Sequence, residues 1–234
     1  MSKLREKFGV PPFSVLDTRQ KYWQDGKDCY QELKALSGRD ETLVYAKSAQ
    51  GTSIYALRNR MREENGKDPS WEEIISEAKK RGYSLLSGTS IFDPFLCEIL
   101  YRWFCPKNGA ILDPFTGGAS RGAVACHLDY KYEGFDVRWE QIKSNLELCE
   151  RYLNGKRKPI YHYSSSENMS KLLSGRAFDM VFSCPPYFDL ERYSKQENDL
   201  SNMDFDGFKA SYKSIIQQSV SLLKDNRFAV FVIS

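Results

Sequence analysis

The stretch 110–128 constrains this chain more than any other. It reads Ala110-Ile111-Leu112-Asp113-Pro114-Phe115-Thr116-Gly117-Gly118-Ala119-Ser120-Arg121-Gly122 and continues through Ala123-Val124-Ala125-Cys126-His127-Leu128. The first residues suit a buried strand, the glycine pair a tight turn, and the alanine-rich run a helix. A strand that enters a helix through a glycine turn is half of a parallel βαβ unit. It brings bare backbone close to a ligand and aims helix N–H groups at it.

The same alternation continues downstream. Residues 132–135 read as a second strand ending in Asp136, and a helix follows over 139–153 with Ile142, Leu146, Cys149 and Leu153 on one face. An acidic residue closing a second strand can accept both hydroxyls of a ribose, which makes Asp136 a candidate. Residues 159–163 suit a third strand, Ser164-Ser165-Ser166 its terminal loop, and 167–173 a short helix. A fourth strand over 178–182, a helix over about 206–223 and a fifth strand over 228–233 complete the pattern. Strands alternating with helices predict an α/β protein with a doubly wound, mainly parallel sheet.

The fourth strand ends in Ser183-Cys184-Pro185-Pro186-Tyr187. Two prolines fix φ and lack an N–H, so the strand cannot continue. The turn presents carbonyls and an aromatic ring at a strand's carboxyl end, where open α/β sheets hold their ligands.

Upstream, Ile91, Phe95, Leu96, Ile99, Leu100, Trp103 and Phe104 give one apolar helical face. Residues 1–89 read as a mostly helical extension, and 90–234 as the α/β domain. Within the extension, 1–13 form an arm, 14–36 hold one or two helices, 42–45 suit a short strand and 51–53 a turn. A helix capped at Asp68 or Ser70 stops at Gly82. Its basic end, Lys79-Lys80-Arg81, and the upstream Arg58, Arg60 and Arg62 are either phosphate contacts or a solvated face. Trp23, Trp71, Trp103 and Trp139 read as packing anchors.

Composition narrows the class. The chain carries 34 Lys+Arg against 31 Asp+Glu, and the resulting +3 does not by itself argue for nucleic acid. The longest apolar run, 228–233, cannot span a bilayer, and the charged start has no signal-peptide core, which places the chain in the cytosol. Six cysteines without Cys-x-x-Cys pairs or a histidine cluster argue against zinc and against a disulfide framework.

Together these residues carry a resemblance. Asp113-Pro114-Phe115-Thr116-Gly117-Gly118 is similar to the Asp-Pro-Phe-x-Gly cofactor motif of S-adenosylmethionine-dependent DNA amino-methyltransferases. Cys184-Pro185-Pro186-Tyr187 is similar to their (Asp/Asn/Ser)-Pro-Pro-(Tyr/Phe) catalytic motif, the adenine N6 and cytosine N4 enzymes of phage type above all. Phe92-Asp93-Pro94-Phe95 resembles the short motif that contacts the methionine end of the cofactor. The resemblance covers about residues 90–234. It implies a Rossmann-like class I methyltransferase core with S-adenosylmethionine as cofactor, double-stranded DNA with a flipped base as partner, and a bacterial or phage-infected host cytosol as compartment. Carried over by position, Phe92, Asp93, Pro94, Asp113, Pro114, Phe115, Thr116, Gly117, Gly118 and Ala119 surround the methionine portion. Asp136 and Val137 take the ribose, and Ser165 the adenine. Cys184, Pro185, Pro186 and Tyr187 hold the base.

The resemblance also explains the proline pair. An exocyclic amino nitrogen is a poor nucleophile because its lone pair is delocalised into the ring, and acceptors around its N–H groups favour pyramidal geometry. Cysteine at 184 departs from the family, since sulfur is a weak acceptor. The Pro185 carbonyl or Ser183 then carries more of that role. A nucleophilic Cys184 is disfavoured, because base C5 methylation resembles a Pro-Cys order. RNA or protein methyltransferases using the same turn, and a noncatalytic cofactor-binding partner, are the alternatives. The family's core continues beyond a fifth strand, so the resemblance implies a chain truncated after that strand, with a second chain or a further C-terminal segment completing the sheet.

Overall fold

A computed structural model describes residues 7–8, 15–36, 52–83, 91–188, 193–194, 196 and 198–233. Helices α1 (Lys21–Asp28), α2 (Gln31–Leu36), α3 (Thr52–Asn65), α4 (Trp71–Lys80) and α5 (Pro94–Phe104) precede the sheet. Then come β1 (Ala110–Asp113), α6 (Ser120–His127), β2 (Lys131–Asp136), α7 (Trp139–Tyr152), β3 (Ile160–Tyr163), the short α8 (Met169–Leu172), β4 (Phe178–Ser183), α9 (Phe205–Ser221) and β5 (Leu223–Phe231). The five strands form one parallel sheet in the order β3-β2-β1-β4-β5. This is the Rossmann-like doubly wound α/β fold. The order reverses between β1 and β4, the switch point where such sheets bind ligands.

Central position dictates composition. Every residue of β4 is buried, as an apolar strand covered on both faces requires. On one face Ile111, Met180 and Phe182 pack with Phe95, Tyr101, Val124 and Leu148. The Tyr101 ring meets Phe182 edge-on at 5.3 Å. On the other face Leu112, Phe135 and Val181 pack with Met169, Leu173 and Ile215. Each such side chain contributes about 1.5–3 kcal/mol by leaving water.

Four expectations change in three dimensions. First, a boundary at residues 89/90 does not separate α1 and α2 from the α/β core, because Trp23, Tyr30 and Leu33 join the same apolar cluster as Phe95 and Ile99. The Tyr30 hydroxyl donates to Glu98 Oε2 at 2.6 Å. Helices α3 and α4 instead pack on each other through Ile54, Leu57, Met61, Ile74 and Ala78. Second, residues 52–53 open α3 rather than forming a turn, since Ile54, Leu57 and Met61 supply a helical stripe with α4 to bury it. Third, Ile142, Cys149 and Leu153 are buried as expected, but Leu146 is exposed, and Gln141, Asn145 and Leu148 share the buried face of α7. Trp139 is exposed too and anchors nothing in the core. Fourth, β5 starts at Leu223, pairing Phe178, and slips so that Phe228 pairs Met180. Asn226 sits at φ 55° in this bulge, and Lys224 Nζ and Arg227 Nε reach Asp179 Oδ1 at 2.9 and 3.4 Å.

Ser70 caps α4 in a reciprocal box with Glu73, and Gly82 follows its end at φ +69°. The strand expected at 42–45 lies outside the described residues. Among the described residues no helix is long and apolar enough to cross a membrane.

The junction of α1 with the core is tight. A Cβ at Gly26 would lie 2.3 Å from the Phe95 ring. Gly26→Ala is therefore expected to destabilise by about 1–3 kcal/mol, read as a lower thermal midpoint. Combining it with Phe95→Leu should recover part of the loss, and an additive double variant would contradict this contact as the cause.

Candidate active site

The loops after β1 and β4 face each other at the switch point, and a buried polar network builds the floor between them. Asp113, last residue of β1, is 0% exposed. Its Oδ2 accepts from Arg121 Nε and Tyr132 OH, both at 2.6 Å. Its Oδ1 accepts from Ser183 Oγ at 2.5 Å and Phe115 N at 3.0 Å. Four donors from β1's own loop, α6, β2 and β4 thus converge on one carboxylate. Arg121 also donates to the carbonyls of Phe115 and Thr116 at 2.5 and 2.7 Å, and the Phe92 ring lies 4.9 Å from its guanidinium carbon. Burial opposes the guanidinium charge, and Asp113 more than offsets it, so Arg121 titrates above its ordinary value.

The glycine loop is held on its outer side as well. Gly117 takes φ +51°, its N–H donates to Asp136 Oδ2 at 3.1 Å, and its carbonyl accepts from Asn145 Nδ2 at 2.7 Å. Gln141 Nε2 orients Asn145 at 2.9 Å. A Cβ at Gly117 or Gly118 would meet nothing within 4 Å, so this backbone borders open space in front of the first N–H groups of α6. Asp136 Oδ1 accepts from Arg138 N at 2.8 Å. Burial pushes the Asp136 carboxyl up to about 7, against the lowering effect of the Arg138 and Gly117 N–H groups. Each of its oxygens keeps lone-pair capacity beyond one backbone donor.

Beyond β4, Pro185 is buried while Cys184, Pro186 and Tyr187 are half-buried. Helix α9 lines this side. The Tyr212 phenol is pushed up by burial and then by the charges of Tyr187 and Cys184, and its ring stacks on Phe115 at 6.1 Å and 16°. Ser166 Oγ donates to the Pro114 carbonyl, and Ser165 caps the turn after β3 by accepting from Glu167 N at 3.3 Å.

The fold therefore assembles Phe92, the 114–119 loop, Asp136, Val137, Ser165 and the 184–187 turn around one end of the sheet. Three of the candidate residues have side chains engaged within the protein. The side chains of Asp113 and Thr116 are wholly buried, so they shape the loop from beneath. Asp93 caps α5, accepting from Phe95 N at 3.0 Å, and its other oxygen binds Trp23 Nε1 at 3.2 Å and Lys27 Nζ at 3.1 Å. That carboxylate joins α1 to α5. Pro94 is buried at the first turn of α5.

Sequence reasoning did not single out Arg121, Tyr132, Gln141 or Asn145. The available signal was a polar residue set among apolar ones, Arg121 before Ala123-Val124-Ala125 and Asn145 beside Leu148 and Cys149.

No protein-family model matches the chain, and no curated protein matches it. Among solved structures it is similar to an rRNA methylase from Streptococcus thermophilus, with 12% identity and TM-score 0.42 over 61% of this chain and 74% of that one. It is also similar to TrmN from Thermus thermophilus, with 13% identity and TM-score 0.46 over 81% and 70%. A third is magnesium protoporphyrin IX methyltransferase from Synechocystis PCC 6803 with bound SAH, with 11% identity and TM-score 0.40 over 73% and 68%. The substrates in those names belong to those proteins.

Proposed function

We propose that this chain is an S-adenosylmethionine-dependent methyltransferase whose acceptor is the exocyclic amino group of an adenine (N6) or cytosine (N4) flipped out of DNA. The observation that carries the reading is the junction of the Gly117-Gly118 loop and the Cys184–Tyr187 turn. They leave adjacent parallel strands and are tied by the Ser183 hydroxyl to Asp113 and Phe115 N.

The residues present fit the cofactor. The open backbone at Gly117 and Gly118 leaves room for its amino-acid portion, Asp136 offers acceptors for ribose hydroxyls, and Val137 and the turn at Ser165 would hold the adenine. The Arg121–Asp113 pair is neutral overall, so it fixes the loop without setting a net positive charge against a sulfonium. When bound, S-adenosylmethionine supplies a methyl group already activated by positive sulfur. The chain's own work is then alignment, which is worth roughly 7–11 kcal/mol when reacting atoms are held in near-attack geometry. The Pro185 carbonyl accepts from the amino group, and Tyr187 stacks on the extruded base, offsetting part of an unstacking cost of a few kcal/mol.

Two measurements test this reading. Calorimetry with S-adenosylhomocysteine should show one site, and tritiated methyl transfer offered in parallel to DNA, RNA and protein should label DNA at N6-methyladenine or N4-methylcytosine. Label in RNA or protein alone overturns the acceptor, and folded protein without nucleoside binding overturns the cofactor.

Asp136 adds a pH signature. The neutral carboxyl loses acceptor capacity, so affinity for S-adenosylhomocysteine should fall as pH drops below about 7, by no more in all than the loss expected for Asp136→Ala, and level off above it. Asp136→Ala should bind about tenfold to hundredfold more weakly, with the step near 7 removed. An identical profile in the variant would assign the step to the ligand.

A further inference from the structure

The ladder between β1 and β4 pairs Ile111 with Met180 and Leu112 with Val181, and no later pair joins the two strands. Past that point the cofactor loop and the proline turn leave separate strand ends. Ser183 spans the gap. Wholly buried, it donates from Oγ to Asp113 Oδ1 at 2.5 Å and accepts at the same oxygen from Phe115 N at 3.1 Å. Its own carbonyl accepts from Val232 N at 2.9 Å, which fixes the end of β4 from the β5 side.

We propose that Ser183 is a positioning residue that sets the separation between the cofactor loop and the Cys184–Tyr187 turn, an inference that rests on the methyltransferase reading. Removing its hydroxyl leaves the loop internally intact. Phe115 N keeps Asp113 Oδ1 at 3.0 Å, and Asp113 keeps Arg121 and Tyr132. Only the tie to the turn is lost. Cofactor affinity should therefore stay nearly constant while the transfer rate falls, because a misplacement of about 1 Å can cost on the order of a hundredfold.

The test compares wild type with Ser183→Ala, Ser183→Cys and Tyr132→Phe. Tyr132→Phe removes a donor from the same carboxylate without touching the turn. For Ser183→Ala the expected result is a thermal midpoint showing a folded protein and a dissociation constant for S-adenosylhomocysteine within about threefold. Its single-turnover rate at saturating cofactor should fall about tenfold to hundredfold, with Ser183→Cys intermediate. Tyr132→Phe should place its loss in cofactor binding. Hydrogen exchange on the ligand-free chain gives a readout independent of activity. Ser183→Ala should speed exchange at Phe115 and Tyr187 while β1 and β4 stay protected. The proposal is overturned by an unchanged rate, by equal losses in affinity and rate, by a rate-specific loss in Tyr132→Phe, or by unaltered exchange at Phe115 and Tyr187. Wild-type protein that binds no cofactor and labels no acceptor instead defeats the methyltransferase reading, whatever the exchange data show.

Discussion

Replacing Arg121 with methionine is expected to lower the unfolding free energy by about 3–5 kcal/mol. The physical reason is the buried pair: Arg121 and Asp113 approach to 2.6 Å with side chains 5% and 0% exposed, so losing the cation strands a charge away from water. Tyr132, Ser183 and Phe115 N still solvate that carboxylate, which keeps the cost within this range. The variant also strips the donors from the Phe115 and Thr116 carbonyls, so cofactor affinity should fall with stability. Urea denaturation reads the first effect and calorimetry the second. Adding Asp113→Asn should restore much of the stability, because asparagine can accept from Ser183 and Phe115 N and donate to the Tyr132 oxygen, leaving no buried charge. A double variant as unstable as the sum of the singles would contradict the pair as the cause.

Replacing Tyr187 with alanine is expected to leave cofactor affinity within about threefold and to reduce kcat/KM for methyl transfer to DNA about tenfold to hundredfold, the equivalent of one base–aromatic stack of about 1–3 kcal/mol. Tyr187 is half-buried in the turn after β4, on the opposite side of the switch point from Asp136 at the end of β2. Loss of its ring should therefore act on the base and not on the nucleoside of the cofactor. Tyr187→Phe keeps the stacking face and should retain most activity. Unmethylated genomic DNA with tritiated cofactor measures the transfer, and calorimetry measures the affinity. Equal losses in the two measurements would move Tyr187 to the cofactor side.

The strand and helix alternation over 110–233 was legible because it is local. Apolar runs bounded by Gly117-Gly118 or Pro185-Pro186 specify where strands stop, and the acid at 136 is marked by its place at a strand end. Both loops were legible for the same reason. The direction of individual side chains was not. Asp93 and Asp113 sit in motifs that suggest ligand contact, yet one is taken by Trp23 and Lys27 from α1 and the other by donors as far away as Ser183. Periodicity carries no information about partners 70 residues apart. The same holds for α1 and α2, which join the core because Trp23, Tyr30 and Leu33 find Phe95 and Ile99 there.

The sequence by itself therefore determined the order of the elements and the two loops proposed as the site, since propensity, proline and glycine act within a few residues. Tertiary structure alone decided that these loops leave neighbouring strands, that Arg121 and Asp113 form the floor beneath them, and that the Ser183 hydroxyl ties one to the other. Those outcomes depend on strand order and on the need of buried polar groups for partners, which only the packed sheet satisfies.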